Sequence, residues 1–313
     1  MIVMLTSSIR LTLLTVSLLA GLPWARSGSA VPAKTAKATA AAAPEAPAQA
    51  APDRVVLLGI DDPEYRALAI PRSYKTAPEA PTHLLVFRGG LCLRDLGLAD
   101  TQARGEHGTP GTAVVEQKGT TERAIVAPDE RAAVVVRTRY VSRVDVTPGQ
   151  TSTANDTVTG DTTLTLIDPT HLDGRWRITL ENARWAKDVL VLPADRGVVV
   201  TTFLPRNGPT DVRILDATGH ESLRVPESSG ETSRIEASPD GGYVAADVTF
   251  RDNAELPERG VIVFDLARGT QWTYAWRYGS DAEPVSWTLD SQGVLAVKLP
   301  GRTRHFDATG RKL

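Results

Sequence analysis

One motif recurs along this chain and limits its fold more than any other feature. An alternating apolar run ends in aspartate, and a short glycine-bearing turn follows. It occurs as "RILDATGHESL" around Asp216, "VIVFDLARGTQW" around Asp265, "TRHFDATGRKL" around Asp307 and, with a longer turn, "LTLIDPTHLDGRW" around Asp168. The aspartates are spaced 48, 49 and 42 residues apart, and "LCLRDLGLAD" at Asp95 reads as a weaker copy 73 residues upstream of Asp168. A second pattern precedes each copy: "AIVAPDERAAVVVRTRYV", "DVLVLPADRGVVVTTF", "RIEASPDGGYVAADVTF" and "VSWTLDSQGVLAVKL", with "VVLLGIDDPEYRALAI" (55–70) as a further candidate. Each is a short strand, a polar turn of about four residues and a longer apolar strand.

Together the two patterns give strand, tight turn, strand, loop, strand, Asp-Gly turn, strand. That is a four-stranded antiparallel meander of roughly 45 to 50 residues, the size of one β-propeller blade. The chain resembles the broad WD-repeat-like, TolB-like and YVTN-type propellers, whose blades carry "SPDG" between the first two strands and D-x-x-x-G between the third and fourth. Ser238-Pro239-Asp240-Gly241 and Asp265 to Gly269 match best, while the Trp-Asp and Gly-His pairs of true WD repeats are missing. The resemblance covers most of residues 54–313 and implies an all-β domain of about five four-stranded blades over 53–313. Tandem β-sandwiches are the alternative, but they leave the regular spacing unexplained. The second strand of each copy is apolar on both faces for part of its length, as expected of a strand covered by neighbouring blades on both sides. The last copy runs out just after Asp307, so its outer strand is short, and residues 54–60 are expected to pair with that blade and close the ring. The alternative is that they begin a blade of their own.

The first fifty residues read differently. "LTLLTVSLLAGLPWA" (11–25) follows Arg10 and precedes the small residues "SGSA". This reads as a secretory signal peptide over 1–30, cut near Ala30, with an uncleaved membrane anchor as the alternative. "VPAKTAKATAAAAPEAPAQAAP" over 31–52 has no large apolar side chain beyond its first valine and four prolines, the composition of a disordered linker. No later segment is apolar enough to span a membrane once the signal is removed. The expected locations are the periplasm, the cell surface or the extracellular medium. Cys92 is the one cysteine, so no internal disulfide can form, and "GGLCLRDLG" places it as a buried small hydrophobe.

Chemistry leaves few marks. Net charge is −2 with no basic run of five, which gives no support to a nucleic-acid partner. The five histidines, His83, His107, His171, His220 and His305, lack metal-ligand spacing, no G-x-S-x-G elbow is present, and the acidic groups at 61–64 and 168–173 lack calcium-loop spacing. No catalytic residue, metal site or cofactor is assigned. The insertion "SRVDVTPGQTSTANDTVTGD" (142–161) separates two strands and reads as a projecting hairpin or loop. In "QWTYAWRYG", Trp272, Tyr274, Trp276 and Tyr278 alternate and share one strand face. They are the candidate binding residues, with packing against the next blade as the competing role. The resulting expectation is an exported, non-catalytic binding or scaffolding module that recognises a protein or glycan partner in the cell envelope. The alternatives are a hydrolase or lyase with a site at a central channel, or a quinoprotein-like cofactor domain.

Overall fold

Alternating apolar residues make strands, and the polar turns between them decide which strands pair. The computed structural model describes residues 51–68, 80–109, 112–146, 157–181, 184–203, 210–225, 231–250, 259–277 and 279–313. Residues 1–50, which hold the expected signal peptide and nearly all of the expected linker, lie outside the described residues, as does Tyr278.

Among the described residues, five antiparallel sheets follow one another along the chain. Blade 1 contains β1 (Arg54–Gly59), β2 (Thr82–Arg88) and β3 (Leu91–Leu98). Blade 2 contains β4 (Thr101–Thr109), β5 (Thr112–Val126), β6 (Ala133–Val146), β7 (Thr157–Ile167) and β8 (Trp176–Thr179). Blade 3 is β9 (Trp185–Leu192), β10 (Gly197–Phe203), β11 (Thr210–Leu215) and β12 (Glu221–Val225). Blade 4 is β13 (Glu231–Ala237), β14 (Tyr243–Thr249), β15 (Arg259–Asp265) and β16 (Thr270–Trp276). Blade 5 is β17 (Ser286–Leu289), β18 (Leu295–Leu299) and β19 (Arg302–Phe306). In every blade each strand pairs with its neighbours in sequence.

A separate apolar core lies between each consecutive pair of blades. Val55, Leu84 and Val86 meet Val135 and Ile167 between blades 1 and 2. Val134, Val136 and Leu164 meet Val191 and Val198 between blades 2 and 3. Val199 and Ile214 meet Val244 and Phe264 between blades 3 and 4. Ala245 and Val263 meet Trp287 and Leu295 between blades 4 and 5. The middle sheets are thus buried on both faces, and this is why β10 shows no polar alternation. Tandem sandwiches would instead enclose one core per pair of sheets. The architecture is all-β and propeller-type, with five blades.

Three local expectations are corrected. Residues 54–59 do not close the last blade: they pair with β2, from Arg54↔Phe87 to Gly59↔Thr82, and begin blade 1. The segment after them is not a second strand. Asp62 accepts a hydrogen bond from the Glu64 amide and Pro63 takes the first helical position, which starts the short helix α1 (Pro63–Ala67). Its Tyr65 covers the outer face of blade 1 against Leu85, Phe87 and the buried Cys92. Asp95 is not a turn residue either. It lies inside β3, fully buried, and accepts from Tyr65 (3.0 Å) beside His83 (2.6 Å), while Gly89 and Gly90 make the turn between β2 and β3. Burial and the bond to Asp95 push the Tyr65 hydroxyl up to about 12.

The repeated aspartates are turn caps. Oδ1 of Asp216 accepts from the amides of Thr218 and His220, and Oδ1 of Asp265 from those of Ala267 and Arg268. Asp307 repeats this with Thr309 and Arg311, and Asp168 with Thr170 and His171. Ser238-Pro239-Asp240-Gly241 is likewise a closed turn: the Ser238 hydroxyl donates to Asp240 and accepts from the Tyr243 amide. Such turns also wedge against the preceding blade. A Cβ on Gly241 would lie 2.8 Å from the ring of Pro193, and one on Gly310 2.8 Å from the indole of Trp272.

Candidate functional site

Strand length singles out blade 2. Its β5, β6 and β7 have 15, 14 and 11 residues, whereas β9 and β10 of blade 3 have 8 and 7. At about 3.3 Å per residue, the surplus carries this sheet well past the cores that hold the blades together. The insertion expected at 142–161 is the source: 142–146 continue β6 and 157–161 continue β7, paired as Arg139↔Asp161, Tyr140↔Gly160 and Ser142↔Val158. Residues 147–156 lie outside the described residues.

The face turned toward blade 3 changes character along β6. Val134 and Val136 belong to the core, then Thr138, Tyr140 and Ser142 continue the same face. Tyr140 pairs with Gly119 on one side and Gly160 on the other. A Cβ at Gly119 would lie 2.5 Å from the Tyr140 ring, so the ring rests across the strand where that glycine leaves room. An aromatic lying over a strand glycine shields backbone that would otherwise be open to water. Trp185, the first residue of β9, stands with its ring centroid 6.1 Å from Tyr140 and 6.0 Å from Phe203, the latter edge-on.

Between these elements runs a groove of about 540 Å³. Tyr140 and Trp185 supply its aromatic surface, Gln117, Thr121, Thr138 and Ser142 its amide and hydroxyl groups. Arg123 ties the walls together by donating to the carbonyl oxygens of Ala186 (3.1 Å) and Lys187 (2.7 Å). A buried ion network fixes the Trp185 end. Arg184, 1 % exposed, lies 3.4 Å from Asp211, which also pairs with Arg213 (3.2 Å) and Arg224 (2.8 Å) and accepts from the Thr202 hydroxyl. These bonds lock the start of β9 against β10 and β11 and so position Trp185.

A second cavity, of about 310 Å³, sits at the end of the molecule that carries the tight turns. Asp53, Asp168, Arg175 and Asp195 line it, from three blades, but every carboxylate there is committed. Arg175 bridges Asp168 (2.8 Å) and Asp195 (2.5 Å), and Asp53 accepts from the Gly89 amide. Burial alone would raise the Asp168 carboxyl. The His171 ring, the local amides and Arg175 outweigh it and hold Asp168 below the ordinary carboxylate range. Among the described residues no three His, Cys, Asp or Glu side chains come together as a metal-binding group.

The strand proposed from sequence as a recognition surface has a different setting. Trp272, Tyr274 and Trp276 do share one face of β16, and that face is covered by blade 5. Tyr274 and Trp276 are buried in the core with Trp287 and Leu295, and Trp272 packs against Phe306 at 5.8 Å between ring centroids. The competing role, packing against the next blade, describes where these rings are. Sequence reasoning passed over Tyr140 and Trp185. The visible signal was the insertion itself, whereas the Gly119–Tyr140–Gly160 row exists only once the strand register is known.

No family model matches the sequence, and no curated protein is similar to it. Among solved structures the chain is similar to the C-terminal WD40 domain of Sif2, with 12% identity and a TM-score of 0.33 over 59% of this chain and 45% of that one. It is also similar to TolB from Acinetobacter baumannii, with 13% identity and a TM-score of 0.30 over 74% and 58%. A putative 6-phosphogluconolactonase from Bacteroides fragilis gives 11% and 0.30 over 86% and 95%. The chain thus spans less than half the length of the first of these. No helix among the described residues is long and apolar enough to cross a membrane. What the chain's own five sheets establish is a propeller-type protein whose second blade outgrows the rest.

Proposed function

We propose that this protein is an exported, non-catalytic binding module whose ligand is a glycan seated in the groove between blades 2 and 3. The observation that carries this reading is the Tyr140 ring laid over Gly119, with Trp185 6.1 Å away and amide and hydroxyl side chains around both. A sugar ring offers an apolar face to an aromatic plane and hydroxyls at its edge. The groove offers the complement, a mostly apolar surface with a few placed polar groups. The second cavity supports binding over catalysis, because its carboxylates are spent on neighbouring amides and on Arg175.

The test removes each ring in turn. Soluble oligosaccharides from a glycan panel are titrated by isothermal calorimetry, with wild type, Tyr140→Ala and Trp185→Ala. At least one saccharide class should bind the wild type and lose about tenfold or more in affinity in each variant. Binding that survives both substitutions, or a panel with no binder, removes the glycan reading. Export is tested separately, by N-terminal sequencing of the protein recovered from culture fractions, with cleavage expected near Ala30.

A further inference from the structure

The other face of the same overhanging sheet carries a different chemistry. On β6, Arg137, Arg139 and Arg143 project to the side away from Tyr140 and are all exposed. The strand repeat sets Arg137 and Arg139 about 7 Å apart, and Arg143, beyond Val141, about 13 Å from Arg139. Arg177 on β8 and Arg94 on β3 of blade 1 border the same groove, a space of about 320 Å³. Thr163, Thr165 and Thr179 stand between them.

Three acids of this face are paired: Glu122 with Arg137 (2.5 Å), Asp173 with Arg94 (2.7 Å) and Glu116 with Lys118 (2.6 Å). Asp161 also lines the groove, across the ladder from Arg139. Arg139 and Arg143 have no ion pair among the described residues, and Arg177 donates to the Thr165 hydroxyl at 3.4 Å. Arg139 and Arg177 stand on the groove wall with Arg143 further along the same strand face, and guanidinium groups so placed are suited to bidentate pairing with carboxylates.

We propose that this face binds an extended, acidic peptide segment of a partner protein, lying along β6. The repeat argues for a peptide. An extended chain presents every second side chain to one side at the same spacing of about 7 Å, so carboxylates two and four positions apart meet Arg137, Arg139 and Arg143. The Thr163 and Thr179 hydroxyls bond each other (3.3 Å), Thr165 accepts from Arg177, and Leu96, Val135 and Ile167 give the groove an apolar floor. No aromatic side chain lines this groove for stacking bases, which sets it apart from a single-strand nucleic-acid platform. This proposal is independent of the glycan groove, which opens on the opposite face.

The test uses fluorescence anisotropy with a fluorescein-labelled peptide of five Glu-Thr repeats, an isomer with five glutamates followed by five threonines, and dextran sulfate as competitor. The alternating peptide should bind, the block isomer several-fold more weakly. The double variant Arg139→Ala/Arg143→Ala should weaken binding about tenfold, each exposed pair accounting for a few-fold. Tyr140→Ala should leave this affinity unchanged, and the thermal melt of the double arginine variant should match wild type. Equal binding of both isomers together with full competition by dextran sulfate would show a surface that reads charge density alone and would overturn the proposal. So would unchanged affinity in the double variant, or no binding of the alternating peptide.

Discussion

The seam between blades 4 and 5 and the seam between blades 2 and 3 are built from the same residue types and end up as opposites. In the first, Tyr274 and Trp276 are 8 % and 4 % exposed, and the turn at Asp307 closes over Trp272. In the second, Tyr140 and Trp185 remain half-buried and their flanks are hydroxyls and an amide. The difference lies in what each ring meets across the seam. β16 faces a full apolar partner in Trp287, Leu295 and Phe306. The upper half of β6 meets across the seam only the first residues of β9, where Tyr140 has the half-buried Trp185 beside it. An aromatic on a blade strand is therefore core or surface according to the length of its neighbour.

The widest separation should appear on truncating each ring. Trp276→Ala is expected to cost about 3–5 kcal/mol of stability through the cavity it leaves, read as a loss in denaturation midpoint. Tyr140→Ala should cost about 1 kcal/mol while losing glycan affinity. Equal destabilisation by the two would erase the distinction between the seams. The ion network is next: Asp211→Ala removes the buried carboxylate that Arg184, Arg213 and Arg224 share, with Glu221 remaining 3.6 Å from Arg213, and about 3 kcal/mol is expected. Tryptophan fluorescence should report a displaced Trp185, and Asp211→Asn should be milder.

A subtler substitution sharpens the contrast. Gly119→Ala keeps Tyr140 but drives its ring off the strand, because the new methyl would sit 2.5 Å from it. Stability should fall by about 1 kcal/mol and glycan affinity by about as much as in Tyr140→Ala. Retained affinity would mean that the ring's flat placement does not matter.

The smallest effect concerns acid. The Thr218, Ser238 and Thr309 hydroxyls hold Asp216, Asp240 and Asp307 below the ordinary carboxylate range, Asp307 at about 2. Asp168 is lowered as well. A carboxylate whose pKa is depressed on folding contributes stability that is fully present above its unfolded value, about 4, and is lost as pH falls through the folded value. Melting temperature should stay level from neutral pH to about 5 and then decline between about 4 and 2. Asp307→Asn should blunt that decline slightly and loosen the environment of Trp272 more than that of Trp185. A decline centred near pH 6 would point away from these turns.

How far the sequence could be read follows from what each signal depends on. Turn chemistry is local, so "SPDG" and the "DATG" turns gave the blade period and the order of the strands. Asp95 misled because an aspartate after an apolar run looks the same whether it caps a turn or, as here, is buried beside His83 and Tyr65. "DDPEY" held a helix start in its Asp-Pro-Glu, overlooked among so many strands. Register is not local, and the candidate site depends on it. Nothing within 142–161 says that Tyr140 will lie between two glycines, one of them more than twenty positions earlier in the chain. The pairing of β9 with Tyr140's face depends on how blades stack, which periodicity alone does not encode.

The wedging of tight turns into the preceding blade has a consequence for engineering. At that end, a graft placed after Gly241 would push against Pro193 and unseat two blades at once. The connections β6–β7, β10–β11 and β14–β15 leave from the opposite end, and the chain has already accommodated unequal lengths there. A foreign epitope, a second ligand loop or a protease site belongs at that end, where the scaffold can be rewritten without touching its hinges.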